Sequence, residues 1–159
     1  MKNNHQTKVP TWFFSQSAIL PYRWKDKRLE ILLITSHTGK HYVIPKGVIE
    51  PTMTAADSAA KEAFEEAGIR GVPSTKALGE YKYKKWGGRC RVQVYPMEVR
   101  EILKHWPEQE ERSRRWVSTA EAISLLKHKN LRPLISQWST TLCALQKGVM
   151  KKKKKSRKK

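Results

Sequence analysis

The order of patterns along the chain predicts an α+β or α/β sandwich, with a mixed sheet held between helices. Three observations carry this. Residues 29–35, "LEILLIT", form an apolar, β-branched run of buried-strand character. Residues 55–67 are rich in alanine and read as a helix. Strand-like alternation then returns before a second helical region opens near Thr119.

The elements follow in sequence. Residues 1–14 form a loose lead-in ending in "WFF". A short strand is expected over 17–22, a polar turn at "KDKR", and the buried strand over 29–35. "SHTGK" is a turn, "HYVIP" a further short strand, and Pro45 and Gly47 are expected to stop regular structure. Thr54 is placed to cap the helix over 55–67, with Asp57 three residues on, and Gly68 fits the left-handed residue that ends many helices. "ALGEYKYKKW" reads as a strand and Gly87-Gly88 as a turn. In the strand over 89–99, Cys90, Val92, Val94 and Pro96 point one way and Arg91, Gln93 and Tyr95 the other. A helix is expected near Thr119, capped by Ser118 or Thr119, and a last one over 132–146. One domain over 15–146 and a basic, disordered tail over 147–159 complete the reading.

The 159 residues hold 33 Lys and Arg against 14 Asp and Glu, a net charge of +19. The last nine residues carry eight basic side chains and no acidic one. Without them, 25 basic residues still face 14 acidic ones, so the remainder is basic too. Such a charge implies polyanionic company: nucleic acid, phosphorylated metabolites or an anionic surface. A solvated tail with no dedicated partner is the plain alternative. Cys90 and Cys143 lie far apart with no metal-type spacing, which points to a reducing, cytoplasmic setting. No secretory leader or membrane span is expected.

Against this basic background, Glu62, Glu65 and Glu66 fall within five residues of one helix. Residues three and four apart share a face, so these carboxylates repel one another, by about 0.2–0.5 kcal/mol for each such pair. The negative end of the helix dipole adds to the penalty. Nearby lysines neutralising a solvated face is one explanation. The other is a Mg²⁺ or Mn²⁺ site, because hard cations take oxygen ligands and bridge to phosphates.

The spacing around these acids resembles the Nudix hydrolase signature, G-x5-E-x7-R-E-U-x-E-E-x-G-U, where U is apolar. Gly47, Glu62, Ala63, Glu65, Glu66, Gly68 and Ile69 fall on it at the right offsets. Met53 stands in place of its first Glu and Lys61 in place of its Arg. Those two help hold the loop and helix together in the family, and Lys61 is expected to pair with Asp57 instead. The resemblance implies an α/β/α sandwich over roughly 16–146. It also implies a metal site of Glu62, Glu65, Glu66 and the Gly47 carbonyl, with one glutamate helping to deprotonate an attacking water. "VIPKGVIEP" followed by "AADSAAKEAFEEAGIRG" looks most like the diphosphoinositol polyphosphate phosphohydrolase branch, in its bacterial form.

By this resemblance the chain is a metal-dependent enzyme cleaving phosphoanhydride bonds in nucleoside diphosphate-X, dinucleoside polyphosphate or inositol pyrophosphate-type substrates. Lys46 is the leading phosphate-binding candidate, with Lys40, Arg89 and Arg91 behind it. Lys82, Lys84 and Lys85, and Arg112, Arg114 and Arg115, are weaker candidates. The rival is a non-catalytic protein of the same fold that holds RNA or another polyanion on its basic surface, the tail included. The scattered histidines receive no role.

Overall fold

A computed structural model describes residues 8–158; the first seven residues of the expected lead-in lie outside it. Thr11–Phe14 form a short 3-10 turn. The regular elements are β1 (Ser15–Lys25), β2 (Arg28–Thr35), β3 (Tyr42–Val43), β4 (Lys46–Val48), α1 (Ala55–Ala67), β5 (Ile69–Arg70), β6 (Gly79–Lys85), β7 (Gly88–Glu98), β8 (Glu101–Ile102), β9 (Arg114–Ser118), α2 (Thr119–Leu125) and α3 (Arg132–Arg157).

The main sheet runs β3-β2-β1-β7-β6, with β4 also on β1 and β9 also on β2. β1 and β7 are parallel and the other pairs antiparallel, so the sheet is mixed. Both faces of its centre are buried. Ile19, Leu32, Ile34 and Met97 pack with Ala59, Ala63 and Ala67 of α1. Leu20, Ile31, Leu33, Val92 and Val94 pack with Ala122 of α2 and Ile135 of α3 on the other face. Neighbouring residues of one strand therefore serve opposite cores, which explains why β2 reads as an unbroken apolar run. The alanines of α1 let that helix lie close to the sheet. This is the α/β sandwich the sequence predicts.

α1 and α2, and the start of α3, fall where expected. Thr54 accepts a hydrogen bond from the Asp57 N–H at 3.1 Å. Ser118 and Glu121 form a full capping box on α2.

Other expectations need correction. β1 is longer than 17–22. Regular structure does not stop at Pro45 and Gly47: Lys46–Val48 pair with β1, Gly47 opposite Ser17, and the Pro45 carbonyl accepts the Ile19 N–H at 3.0 Å. Proline lacks only a donor, and its acceptor is used here. The hairpin between β6 and β7 turns at Trp86 and Gly87, with φ of 53° and 73°, while Gly88 already lies in β7. The alternation along β7 holds as expected, with Val92 and Val94 in one core and Tyr95 in the other, where α1 covers it. β9 is unexpected, since its two arginines mask a strand in which only Val117 is buried. Finally, α3 continues past Gln146 to Arg157. Lysine is a good helix former and suits the negative end of the helix dipole, so the lysine run extends the helix. Among the described residues, no helix is long and apolar enough to cross a membrane.

Candidate active site

α1 is anchored at both ends, and this fixes its acidic turn. Gly68 closes it with φ of 62°, and its N–H returns to the Phe64 carbonyl. A side chain at Gly68 would strike Trp106, whose indole N–H donates to the Glu66 carbonyl at 3.1 Å. Arg114 Nη1 donates to the carbonyls of Ala67 (3.1 Å), Gly68 (3.4 Å) and Leu103 (2.9 Å). No basic residue lies in the last turn of α1 itself, so this cation from β9 caps the negative end of the helix. Arg114 is thus structural. Arg114→Met is expected to lower stability by about 2 kcal/mol, the scale of hydrogen bonds to a charged group. A fall in the denaturant midpoint at unchanged m-value checks this.

The three glutamates occupy different surroundings. Glu66 is 7% exposed. Its Oε2 accepts the Lys46 N–H at 3.3 Å, and Arg112 lies 3.6 Å from Oε1. Burial pushes its carboxyl up to about 8, assisted by the charges of Glu62 and Glu108 and opposed by Arg112 and the Lys46 N–H. Glu62 lies directly against Gly47, where a Cβ would collide with its carboxyl group. Burial raises it to about 7, with Glu65 and Glu108 adding to the shift. Glu65 is more exposed and sits 3.7 Å from Lys61. Lys61 does not pair with Asp57 as expected. It bonds Glu50, in the turn before α1, so the carboxylate missing at Met53 is supplied three residues earlier.

Glu66 lines a cavity of about 360 Å³ together with Lys46, Lys84, Lys85, Arg112 and Lys127, and with Tyr83, His37 and His128. Lys46 is held from below. Its Nζ donates to the Tyr83 hydroxyl at 2.8 Å and to Gln16 Oε1 at 3.5 Å, and lies 4.5 Å from the centre of the Tyr83 ring. Gln16, 2% exposed, also accepts the Tyr83 hydroxyl at 2.7 Å. Burial, with Lys85 nearby, lowers the Lys46 ammonium to about 8. Arg112 is fixed by Glu108 at 3.0 Å and the Thr35 carbonyl at 3.0 Å. His37, Glu108 and Glu111 bring one ligand atom each within 4.8 Å of the others.

The structure therefore gathers Gly47, Glu62, Glu66 and Lys46, with Glu65 beside them. It does not bring Lys40, Arg89 or Arg91 to this cavity. Lys40 is exposed in the loop between β2 and β3. Arg89 lines a separate basic groove beside the hairpin turn, and Arg91 pairs with Glu80 at 2.9 Å. Each strand residue points away because alternation along β7 gives the inward positions to Cys90 and Val92. Arg115 pairs with Glu121 outside the site. Sequence reasoning missed Gln16, Tyr83, Glu108, Lys127 and His128 as site residues. "YKYKKW" held a signal for Tyr83, but nothing local marks Gln16 or His128.

Comparisons with known proteins agree with this architecture. The NUDIX domain pattern matches residues 16–138. Nudix hydrolase 13, mitochondrial, of Arabidopsis thaliana is 31% identical over 123 residues, covering 71% of this chain and 61% of that relative. Diphosphoinositol polyphosphate phosphohydrolase 3-beta of Bos taurus is 31% identical over 131 residues, covering 80% and 78%. The crystal structure of a C. elegans Ap4A hydrolase superposes with a TM-score of 0.67 at 19% identity over 80% of this chain and 97% of that one, a likeness of fold. Such a match, spanning the main sheet, α1, α2 and the first turns of α3, makes this chain a member of the Nudix family.

Proposed function

We propose that the chain is a metal-dependent pyrophosphohydrolase acting on a phosphorylated small molecule of the nucleoside diphosphate-X, dinucleoside polyphosphate or inositol pyrophosphate type. One observation carries this reading: Glu66 is buried on the Lys46 N–H and lines a cavity shared with Lys46, Lys84, Lys85, Arg112 and Lys127, while half-buried Glu62 lies beside it against Gly47.

The donor set suits a hard divalent cation. It consists of oxygens, and the raised carboxyls of Glu62 and Glu66 mark sites where negative charge lacks a sufficient counter-ion. Glu62, Glu65, Glu66 and the Gly47 carbonyl would hold Mg²⁺ or Mn²⁺, which would supply Lewis acidity and neutralise phosphate charge. The side chain-free Cα of Gly47 leaves room for the Glu62 carboxyl. Lys46 Nζ, held by Tyr83 and Gln16, binds a phosphate oxygen, and Arg112 and Lys127 extend the same cationic surface. Water attacks phosphorus, a helix glutamate accepts its proton, and the anhydride P–O bond breaks to give two phosphorylated products. The two unpaired cysteines suit a reducing compartment, and a cytoplasmic location belongs to this proposal.

The test is a panel of diadenosine polyphosphates, inositol pyrophosphate and ADP-ribose, with phosphate or nucleotide product measured at pH 8. Hydrolysis is expected with Mg²⁺ or Mn²⁺ and none with chelator. No turnover of any member under either metal would overturn the proposal. Tyr83→Phe is expected to raise KM several-fold with little change in kcat, since it removes the 2.8 Å partner of Lys46 but keeps the ring.

A further inference from the structure

The last helix carries its apolar stripe out of the domain. Leu131, just before α3, and then Ile135, Trp138, Leu142, Leu145 and Val149 recur at alternating four- and three-residue steps, so they share one face. The first three are packed: Leu131 and Ile135 are buried, and Trp138 meets Tyr22 edge-on with ring centres 5.1 Å apart. Ser139 is the last buried residue of α3. Beyond it the stripe continues uncovered, with Leu145 63% and Val149 48% exposed. Lys147, Lys151 to Lys155, Arg157 and Lys158 follow, all exposed, and no acidic residue occurs after Glu121.

We propose that the distal half of α3 is a docking surface for an anionic lipid bilayer. Leu145 and Val149 settle at the boundary of headgroup and acyl chain, and the lysine run meets the lipid phosphates and carboxylates. An apolar ridge joined to a polybasic segment supplies the two signals that peripheral attachment needs.

Other occupants use only part of this surface. A nucleic acid would take the lysines and leave Leu145 and Val149 in water. A second copy would set one lysine run against another, or against Lys127, Lys129 and Arg132 at the base of the helix. A partner helix in a coiled coil needs charged residues flanking the seam, and Thr141, Gln146 and Gly148 flank it here. Lys151 to Lys155 are consecutive and so point all round the helix, which suits a diffuse anionic plane better than one aligned seam.

The test is vesicle co-sedimentation of the full chain and of the Leu145→Gln, Val149→Gln double variant. Both positions are exposed and glutamine keeps helix propensity, so the variant's Tm should be unchanged. Wild type is expected to bind phosphatidylcholine–phosphatidylserine vesicles about tenfold better than pure phosphatidylcholine, and to be released by high salt. The double variant should bind the anionic vesicles several-fold more weakly. Equal or absent binding to both vesicle types overturns the proposal, as does anionic binding indifferent to the double substitution. Poly(U) displacing the protein equally from vesicles in both forms would mark a charge-only polyanion surface and overturn it. A dimer in solution that the double substitution dissolves would also overturn it, assigning the stripe to a second copy.

Discussion

Glu66→Gln is expected to lower turnover by about 100-fold or more while making the metal-free protein more stable at alkaline pH. The two effects share a cause. A glutamine keeps an oxygen to accept the Lys46 N–H but removes a buried negative charge. Arg112 loses one partner and retains Glu108 and the Thr35 carbonyl. In the wild type the folded Glu66 carboxyl is raised from 4.5 to about 8. The unfolded chain therefore gives up this proton at lower pH than the folded one. The stability tied to the group is complete below about pH 4.5 and is lost as pH rises towards 8. Glu62, raised from 4.5 to about 7, acts in the same direction. Thermal unfolding in chelator should show wild-type Tm falling between pH 5 and 8, with a shallower fall in Glu66→Gln. Added Mg²⁺ should recover more Tm in the wild type at pH 8 than at pH 5. A variant that keeps full turnover would remove Glu66 from the chemistry. A wild-type Tm that rises through this range would show that burial does not govern the group.

Gly47→Ala is expected to cost about 100-fold in kcat/KM with little loss of stability, the scale of a displacement near 1 Å at a catalytic group. Gly47 lies in β4 outside the left-handed region, so alanine can adopt its backbone. The new methyl would overlap the Glu62 carboxyl and the carbon before it. Those atoms end a flexible side chain, which can swing aside and leave the fold intact. What is lost is the position of the carboxylate. A double-mutant cycle isolates this cause: adding Gly47→Ala to Glu62→Gln should cost far less than adding it to wild type. Additive losses would place the function of Gly47 elsewhere. A collapse of Tm in the single variant would show instead that β4 cannot accept a side chain.

These residues also mark what a one-dimensional reading reaches. α1 was legible to the residue because alanine propensity, the Thr54 cap and Gly68 agree. The acid cluster was legible because its helical spacing needs no knowledge of the rest of the molecule. Tyr83, Gln16 and Arg112 were not legible as partners of Lys46 and Glu66. They arrive from β6, β1 and the segment before β9 through strand pairings that no local pattern specifies. Arg89 and Arg91 were chosen for charge, and the alternation of β7 turns them outward. The extent of α3 is not legible because a lysine run has the composition of solvated coil, whereas in a helix it extends the last turns.

The parallel register of β1 with β7 has a consequence for how the molecule is made. Ser15 pairs beside Arg91 and Tyr22 beside Glu98, so a central ladder of the sheet joins segments translated far apart. While the ribosome is still producing α1, β1 has an unfilled edge and α1 lacks the part of its floor that Tyr95 and Met97 provide. Non-local pairing of this kind is slow and leaves apolar edges uncovered. Nascent chains arrested before Gly88 should therefore bind chaperones and be cut readily by proteases, and protection should appear only after Glu98 has emerged.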